Sequence, residues 1–296
     1  MDWDKLRIFH AVASAGSFTH AGDQLGLSQS AISRQIRALE DSLNVPLFHR
    51  HARGLVLTEQ GELLFTTAHD VLGRLAMTEA RLSDSKERPS GQLKITTTMT
   101  FGSVWIAPRL AEFCNLYPDV TVQLMLEDRE LDLSMREADV AIRMWKPTQP
   151  DLIQRKLLTV HNHLYAAPEY LRKRGTPQSI EDLHQHRLVV YNDDAPSNIV
   201  GSNWLVELAS ARRRDFAPIL KVNNLFAIMQ AVESGLGIAS LPDYAVQGNS
   251  RIVRILPEVD GPAYETYFVY PEELRHSKRI AVFRDFMVRK VGEWRF

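Results

Sequence analysis

The sequence predicts an α+β multidomain protein with a small helical module, a long single helix and a larger α/β domain. Residues 1–86 carry apolar residues at helical spacing with one interruption. Residues 87–92 are polar and contain a Pro and a Gly, which is typical of a linker. Beyond them, short apolar strands alternate with helical segments, which indicates an α/β sheet. The first of these elements are predicted as a strand (93–98), a helix to Tyr117, a strand (120–126), a short helix and a strand (138–144).

The composition is that of an ordinary globular protein. The chain has 296 residues, of which 45% are hydrophobic and 24% charged, and its formal net charge is −1. The sequence shows no secretory leader and no run of 18 apolar residues, so we expect a cytoplasmic protein that does not span a membrane. The single cysteine, Cys114, excludes an intrachain disulfide and a cysteine-based zinc cluster.

The first module is predicted to contain three short helices. The first covers about 3–14, the second begins after Ser17, and the third is capped by Ser28 and reaches about Leu43. One face of the third helix is apolar and is predicted to pack on the other two helices. This apolar stripe consists of Ile32, Ile36, Leu39 and Leu43.

The opposite face of the third helix is polar near its start. A recognition helix has this pattern, because a slim end enters the major groove, an amide can pair with adenine, and guanidinium groups bind guanine or phosphate. The pattern alone also fits a helical bundle with surface arginines. The module is not strongly basic, since six Lys and Arg stand against five Asp and Glu in residues 1–58. The polar face carries Gln29, Ser30, Ser33, Arg34 and Arg37.

A hairpin and a long helix are predicted next. Two short strands at about 47–50 and 55–57 are joined by a turn that ends at Gly54, and the cations of this hairpin (His49, Arg50, His51 and Arg53) suggest a wing along the phosphate backbone. Thr58 then caps a long helix at 59–86. Its heptad-like seam predicts pairing with a second chain, although the same residues could pack on their own module. The seam consists of Leu64, Ala68, Val71, Leu75, Thr78 and Leu82.

The N-terminal residues closely resemble the DNA-binding domain of LysR-type transcriptional regulators. The shared pattern is Ser17-Phe18-Thr19, Leu25, Ser28–Ile36, Leu39-Glu40, Leu43, Pro46-Leu47-Phe48 and Arg50. The resemblance implies a winged helix-turn-helix at residues 1–58 and a dimerisation linker helix at 59–86. It implies that Gln29, Ser30, Ser33 and Arg34 face the groove, that Arg53 is the wing contact, and that Thr19 and Arg37 contact phosphate. Ser28, at the start of the helix, and Arg50, in the wing, complete the candidate DNA-binding set.

The resemblance continues to the C-terminus with looser motifs. Leu93–Thr98, Pro108-Arg109-Leu110, Phe113, Tyr117–Val120, Ala138–Ile142, Gly235–Ala239 and Leu241-Pro242 are similar to the family's effector-binding domain. It implies a two-lobed α/β domain at 93–296, after a hinge at 87–92. This domain is similar to periplasmic solute-binding proteins and holds a small-molecule effector in its cleft. We expect lobe one at 93–161 with 267–296, and lobe two at 162–266.

Candidate effector-binding residues lie where strands run into helices. Thr98 ends a strand and Thr100 begins a helix, so their hydroxyls and the free N–H groups lie at a sheet edge where open α/β sheets bind ligands. The helix dipole is expected to favour a carboxylate or another anion. Asn223 and Asn224 are expected across the cleft, and each Thr or Asn could instead be a helix cap only. Weaker candidates for the pocket wall are Phe101, Arg143 and Trp145.

These features predict a DNA-binding transcriptional regulator rather than an enzyme. We expect a homodimer or homotetramer on double-stranded DNA with an imperfect dyad, an effector that modulates this binding, RNA polymerase as a partner, and no cofactor or metal. The pairs His161/His163 and His184/His186 lack further metal ligands. The alternatives are a redox-responsive regulator acting through Cys114, an enzyme, or a solute-binding protein, which would not need residues 1–58.

Overall fold

The computed structural model describes the chain except residues 1, 52–53, 84–87, 148, 150, 193–200, 211–217 and 295–296, and except the side chains at 50–51, 54, 76–77, 79–83 and 210. The chain divides into two compact units. One comprises Met1–Ser83 with Ser134–Arg136, and the other comprises Asp84–Leu133 with Glu137–Phe296. The long predicted helix therefore belongs to the first unit.

In the first unit, helices precede and follow a short hairpin. Ser17, Ser28 and Thr58 cap the helices that follow them, each accepting a hydrogen bond from the N–H group three residues later. Within the described residues the predicted helices and caps are confirmed, and the hairpin strands lie within one residue of their predicted positions. Residues 84–86 of the predicted long helix lie outside the described part. In chain order the elements are α1 (Trp3–Ala15), α2 (Phe18–Leu25), α3 (Gln29–Leu43), β1 (Phe48–His51), β2 (Gly54–Leu57) and α4 (Glu59–Ser83).

Local interactions connect the end of α3 to the hairpin. The helix ends at Asn44, whose φ of 55° is left-handed, a conformation that Asn adopts more readily than most other residues. The Glu40 carboxylate accepts hydrogen bonds from the N–H groups of Leu47 at 2.8 Å and Phe48 at 3.3 Å. These bonds fix the start of the hairpin relative to α3.

The core of the first unit forms where α1, α2 and α3 meet the hairpin. Phe9 and Val12 of α1 are fully buried, and so are Ile32, Ile36 and Leu39 of the apolar stripe. Because α3 contacts both α1 and α2, the predicted orientation of this stripe is confirmed. The polar face of α3 consequently points away from the core.

Gly61 lies where α4 passes directly against the backbone of the hairpin. An added Cβ would overlap the carbonyl oxygen of Leu47. We therefore expect Gly61→Ala to lower the free energy of unfolding by about 1–3 kcal/mol, because the backbone must shift to relieve the overlap. Urea unfolding followed by circular dichroism measures this change. Gly292→Ala is the control, since nothing lies within 4 Å of a methyl group there. An unchanged midpoint for Gly61→Ala would contradict the close approach.

The second unit alternates strands and helices, as predicted. Its elements in chain order are β3 (Gly91–Thr97), a π-helix (Phe101–Ile106), α5 (Ala107–Leu116), β4 (Val120–Leu126), β5 (Val140–Arg143), β6 (Leu152–Ala166), α6 (Pro168–Arg174), a 3-10 helix (Ile180–Gln185), β7 (Val189–Tyr191), α7 (Trp204–Ser210), β8 (Leu220–Val222), α8 (Leu225–Glu233), β9 (Ile238–Pro242), α9 (Asp243–Val246), β10 (Val253–Ile255), β11 (Ala263–Pro271), a 3-10 helix (Glu272–Leu274) and α10 (Lys278–Glu293).

A mixed sheet organises this unit. Its strands follow the order β10-β6-β11-β5-β3-β4, and β9 also pairs with β6. β3 is parallel to β4 and β5, whereas β6 is antiparallel to its partners. The long β6 pairs with β11 up to His161 and with β9 from Asn162 onward. The boundary predicted between the two lobes falls at this position, and the lobe boundaries remain a prediction.

Two helices differ from expectation. The segment between β4 and β5 forms turns instead of a short helix, and Arg136 has a φ of 57°, which a right-handed helix does not allow. The helix after Thr98 includes a π-helical stretch directly before Pro108. Proline has no N–H for the carbonyl of Val104, and its ring would clash with that carbonyl in a regular α-helix, so the wider π turns accommodate it.

Candidate DNA-binding surface and effector cleft

The polar face of α3 is presented to solvent. Gln29, Ser30, Arg34 and Arg37 are exposed, and Ser33 is half-buried. The apolar stripe fills the core behind them, so the rotation of α3 about its axis is fixed. This arrangement leaves an amide, small hydroxyls and two guanidinium groups on one slim helix face, which is a shape and chemistry that fit a DNA major groove.

The start of α3 is organised by Ser28. Its Oγ accepts a hydrogen bond from the N–H of Ala31 at 3.2 Å and shares another with Ser30 Oγ at 3.1 Å. Ser28 therefore acts first as a cap that shapes the helix start. Thr19 is exposed on α2, the preceding helix. Helix N-termini favour a nearby phosphate, so this end of α3 suits a nucleic-acid backbone.

The hairpin is described only in part. The backbone of Arg50 pairs with that of Leu55, whereas the side chain of Arg50 and the whole of Arg53 lie outside the described residues. Val56, opposite His49, is 55% exposed. The DNA contacts of both arginines remain predictions.

The N-terminal part of the predicted α4 seam packs within its own unit. Ala68 is fully buried, and Leu64 packs against the core of the first unit. Between them, Phe65 stacks on His10 of α1 with ring centroids 5.1 Å apart, and His10 Nε2 lies 3.2 Å from His69 Nδ1. Ala68 is therefore an intramolecular contact and not accessible to a partner, whereas Leu64 is half-buried and its pairing with a second chain remains a prediction.

The middle of α4 exposes apolar side chains. Val71 is 38% and Leu75 44% exposed, and Leu63, which the heptad pattern did not include, is 72% exposed. Thr78 is exposed and donates its hydroxyl to the carbonyl of Arg74. The side chain of Leu82 lies outside the described residues. The exposed part of the seam thus begins at Val71.

A cleft in the second unit is lined by both predicted threonines. Thr98 and Thr100 are buried side chains of its wall. The space in and around the cleft is about 520 Å³ when its open mouth is counted, but the part that water-sized molecules can occupy is only about 30 Å³, room for about two waters. The other described lining residues were not predicted from the sequence, because they come from elements that are far apart in the chain. They include Asp128, Asn162, Tyr191, Ser240, Tyr244 and Tyr264.

The phenols of the cleft are neutral hydrogen-bonding groups. Burial raises the pKa of Tyr191, Tyr244 and Tyr264 well above the usual range of a phenol. The nearby Asp128 carboxylate raises the pKa of Tyr191 and Tyr244 further, and Tyr244 donates a hydrogen bond to Tyr264. The phenols therefore stay protonated at neutral pH, and each can donate or accept a hydrogen bond.

At the two helix starts near the cleft, a backbone N–H group already donates a hydrogen bond to a side chain of the same chain. Asp128 Oδ1 accepts a hydrogen bond from the N–H of Met99 at 3.2 Å. Asn224 caps α8 by accepting from the N–H of Ala227 at 3.1 Å, and its amide donates to Asp128 Oδ2 at 3.5 Å. The carboxylate that the helix dipole was expected to attract from a ligand is therefore supplied by Asp128.

Phe101 belongs to the core and is not on the wall of the cleft. It is fully buried and stacks on Trp105, with ring centroids 5.0 Å apart. Its edge also meets Tyr244 at a centroid distance of 5.0 Å. The side chain therefore supports a cleft residue from behind and does not contact the cavity.

Arg143, Trp145 and Asn223 are likewise not among the described lining residues. Arg143 is buried in an ion pair with Glu130, and it donates to the carbonyl of Leu131 at 2.9 Å. The ring of Trp145 lies 5.9 Å from the Arg143 guanidinium. Asn223 is exposed, in contrast to Asn224, which caps α8. The expected wall of the cleft is corrected accordingly.

Cys114 and the histidines lie apart from the cleft lining. Cys114 is exposed on α5, so the redox alternative remains a prediction that the peroxide response of a Cys114→Ser variant would test. His163 bonds Asp243 at 2.6 Å, and His186 lies 3.2 Å from the hydroxyl of Tyr170. Among the described residues, no group of three or more His, Cys, Asp or Glu side chains could hold a metal ion.

Both units match known protein families. Residues 3–62 match the bacterial regulatory helix-turn-helix protein, lysR family, and residues 86–292 match the LysR substrate binding domain. The chain is 29% identical over 293 residues to the HTH-type transcriptional regulator CrgA of Neisseria meningitidis serogroup C (strain 8013), which covers 98% of this chain and 97% of CrgA. It is 31% identical over 298 residues to the HTH-type transcriptional regulator DmlR of Escherichia coli (strain K12), covering 97% and 94% of the two chains.

A solved full-length structure has the same fold. The chain is similar to the Vibrio cholerae virulence activator AphB, with a TM-score of 0.63 and 28% identity over 98% of this chain and 99% of AphB. Within the described part of the chain, every helix is too short or too polar to cross a membrane.

Proposed function

This chain belongs to the family of LysR-type transcriptional regulators, and from this premise we propose that it binds promoter DNA as a homodimer or homotetramer under the control of a small molecule in the cleft. It is a regulator with a DNA-binding and an effector-binding domain, and it is not an enzyme. The direct readers of the promoter are Gln29, Ser30, Ser33 and Arg34.

The orientation of α3 is the observation that carries this proposal. Its apolar stripe is buried, and Gln29, Ser30 and Arg34 are exposed on the opposite face. Arg34 follows Ser30 by one helical turn, so both can reach neighbouring bases of one groove. Arg37, one turn beyond Ser33, and Thr19 are placed to contact phosphates, which position the domain without reading the sequence.

The proposed oligomer explains how a short helix selects a promoter. A pair of helix-turn-helix units reads two half-sites about 34–36 Å apart, or a multiple of that distance, and therefore requires an imperfect dyad. The exposed Val71 and Leu75 of α4 are apolar surface available for pairing with a second copy. We propose the cytoplasm as the place of action and RNA polymerase as the partner on the promoter.

The proposed effector acts through the second unit. Thr98 and Thr100 stand where β3 gives way to a helix, whereas Tyr264 and Ser240 belong to β11 and β9 on the other part of the sheet. A ligand that contacts both groups favours one separation between them. Such a ligand shifts the DNA-binding equilibrium only by its differential affinity for the two states.

Selection from a genomic fragment library tests the proposed function. We expect the purified protein to enrich short intervals with an imperfect dyad at moderate salt, and we expect Gln29→Ala to lose this enrichment because the amide that pairs with a base is gone. Sequencing of the recovered DNA is the measurement. Lys5→Ala, a change outside α3 and the hairpin, is the control. Enrichment that is absent in the wild type, or equal in both variants, would overturn the proposal.

A further inference from the structure

The charge of the cleft disfavours an anionic ligand. Asp128 contributes a carboxylate to the lining, and the described lining residues include no Lys, Arg or His. Arg143, at the end of the neighbouring strand β5, forms an ion pair with Glu130. A carboxylate or phosphate entering this cleft would meet a like charge, and none of the described lining residues offers it a counter-ion.

One backbone donor at each of the two helix starts near the cleft is also engaged. The N–H of Met99 donates to Asp128, and the N–H of Ala227 in α8 donates to Asn224. Helix starts attract anions through such N–H groups and the dipole behind them. Because Asp128 already neutralises the helix start at Met99, an anionic effector gains little from it.

The remaining polar groups suit a ligand that donates hydrogen bonds. Asn162 uses its amide N–H to bond the carbonyl of Pro262 at 3.1 Å, which leaves its carbonyl oxygen for a ligand. Thr98, Thr100 and Tyr264 add hydroxyl oxygens, and Asp128 adds a charged acceptor. Oxygen acceptors around one carboxylate, with aromatic rings nearby, form the usual surroundings of an organic ammonium group.

We propose that the effector of this regulator is an organic cation, an amine or a guanidinium compound, whose charged group binds Asp128 and whose carbon skeleton lies against Tyr264, Met144 and Leu225. All four residues line the same cleft. The proposal rests on the proposed function, since an effector presupposes ligand-controlled DNA binding. It reverses the anion preference expected from the helix start alone.

Matched small probes test the charge preference with the full-length protein. We would measure thermal unfolding and isothermal titration with amines, alcohols and carboxylates of two to eight carbons, including 1,4-diaminobutane, 1,4-butanediol and succinate, and 2-phenylethylamine, 2-phenylethanol and phenylacetate. At least one amine is expected to bind roughly tenfold or more tightly than its matched carboxylate. Its affinity should fall as ionic strength rises, because the charge pair is partly exposed.

Two substitutions localise the effect to the cleft. Asp128→Asn keeps a hydrogen-bond acceptor and removes the charge, and we expect roughly tenfold weaker amine binding with a clearly smaller loss for the matched alcohol. Asp119→Asn is the control, because it removes the same charge at the opposite end of β4. A third variant, Thr100→Val, alters the lining without changing charge and should weaken binding of amine and alcohol alike.

The outcomes separate this proposal from the proposed function. A carboxylate that binds at least as tightly as its matched amine, with binding weakened by Thr100→Val, overturns the cation proposal while ligand control stands. The cation proposal also fails if no amine binds, or if Asp119→Asn weakens amine binding as much as Asp128→Asn does. If an amine binds in the cleft but no probe alters DNA binding, ligand control of DNA binding is overturned. The charge preference of the cleft would still stand in that case.

Discussion

An Arg34→Ala variant is expected to lose about 1–3 kcal/mol of specific promoter binding, which is roughly a 5- to 150-fold loss of affinity. Arg34 is exposed on the polar face of α3 while Ile32 and Ile36 beside it are buried, so the change removes a guanidinium group and leaves the core intact. Fluorescence anisotropy with the recovered operator and with an unrelated duplex measures specific and non-specific affinity separately.

The matched control removes the same charge elsewhere. Arg7 is exposed on α1, and Arg7→Ala should change operator affinity far less. A series of salt concentrations then distinguishes a phosphate contact from a base contact. The loss of one phosphate contact makes the negative slope of log K against log salt concentration shallower by about 0.9. A base contact would leave the slope nearly unchanged and relax the preference at one base pair. Equal losses for both variants on both duplexes would contradict the role assigned to α3.

The helical module could be predicted almost to the residue because its signals are local. Ser17 and Ser28 cap the helices that follow them, and Asn44 adopts the left-handed conformation at the end of α3. A cap and its helix are only a few residues apart, so the sequence pattern contains the whole interaction. The Glu40 bonds to the hairpin backbone were missed, because a carboxylate that bonds N–H groups seven and eight residues later has no such pattern.

A heptad pattern in α4 indicates only which residues are apolar and share a face. Within the chain, Ala68 is fully buried and Leu64 packs partly on the core, whereas Val71 and Leu75 are exposed. Sequence periodicity cannot distinguish a neighbour within the chain from a second copy of it. The difference became visible only once α1 was placed against α4.

Of the described residues that line the cleft, the two threonines were predicted from the sequence and the others were not. Thr98 and Thr100 follow a general rule for strand ends in α/β sheets. Tyr191 of β7, Tyr244 of α9 and Tyr264 of β11 come together only in the folded domain, and nothing local in the sequence marks them as neighbours. Asp128 shows the same limit, since the anionic ligand was expected from the helix dipole alone, and the sequence did not reveal that a carboxylate already lies at that helix start.

The exposed part of the α4 seam leads to the second large effect. Two apolar side chains per chain, Val71 and Leu75, are 38% and 44% exposed. Full burial of such a side chain provides roughly 1.5–3 kcal/mol, and burying the exposed part of each one in a symmetric dimer contributes a fraction of that to the free energy of association. Because the dimer is symmetric, both chains make the same contribution. Two linked recognition helices also bind their half-sites with an effective concentration that a monomer lacks.

Replacing both Val71 and Leu75 with Glu is expected to convert the oligomer to a monomer and to weaken binding to the two-half-site operator by roughly 100-fold or more. Light scattering after size exclusion measures the mass of the particle. Fluorescence anisotropy measures the affinity for the full operator, which should fall, and the affinity for a single half-site, which should be unchanged. Thr66→Glu is the control, because Thr66 lies nine residues before Leu75 and, at about 100° per residue, on the opposite face of α4. An oligomer that survives the double substitution would place the subunit contact on another surface.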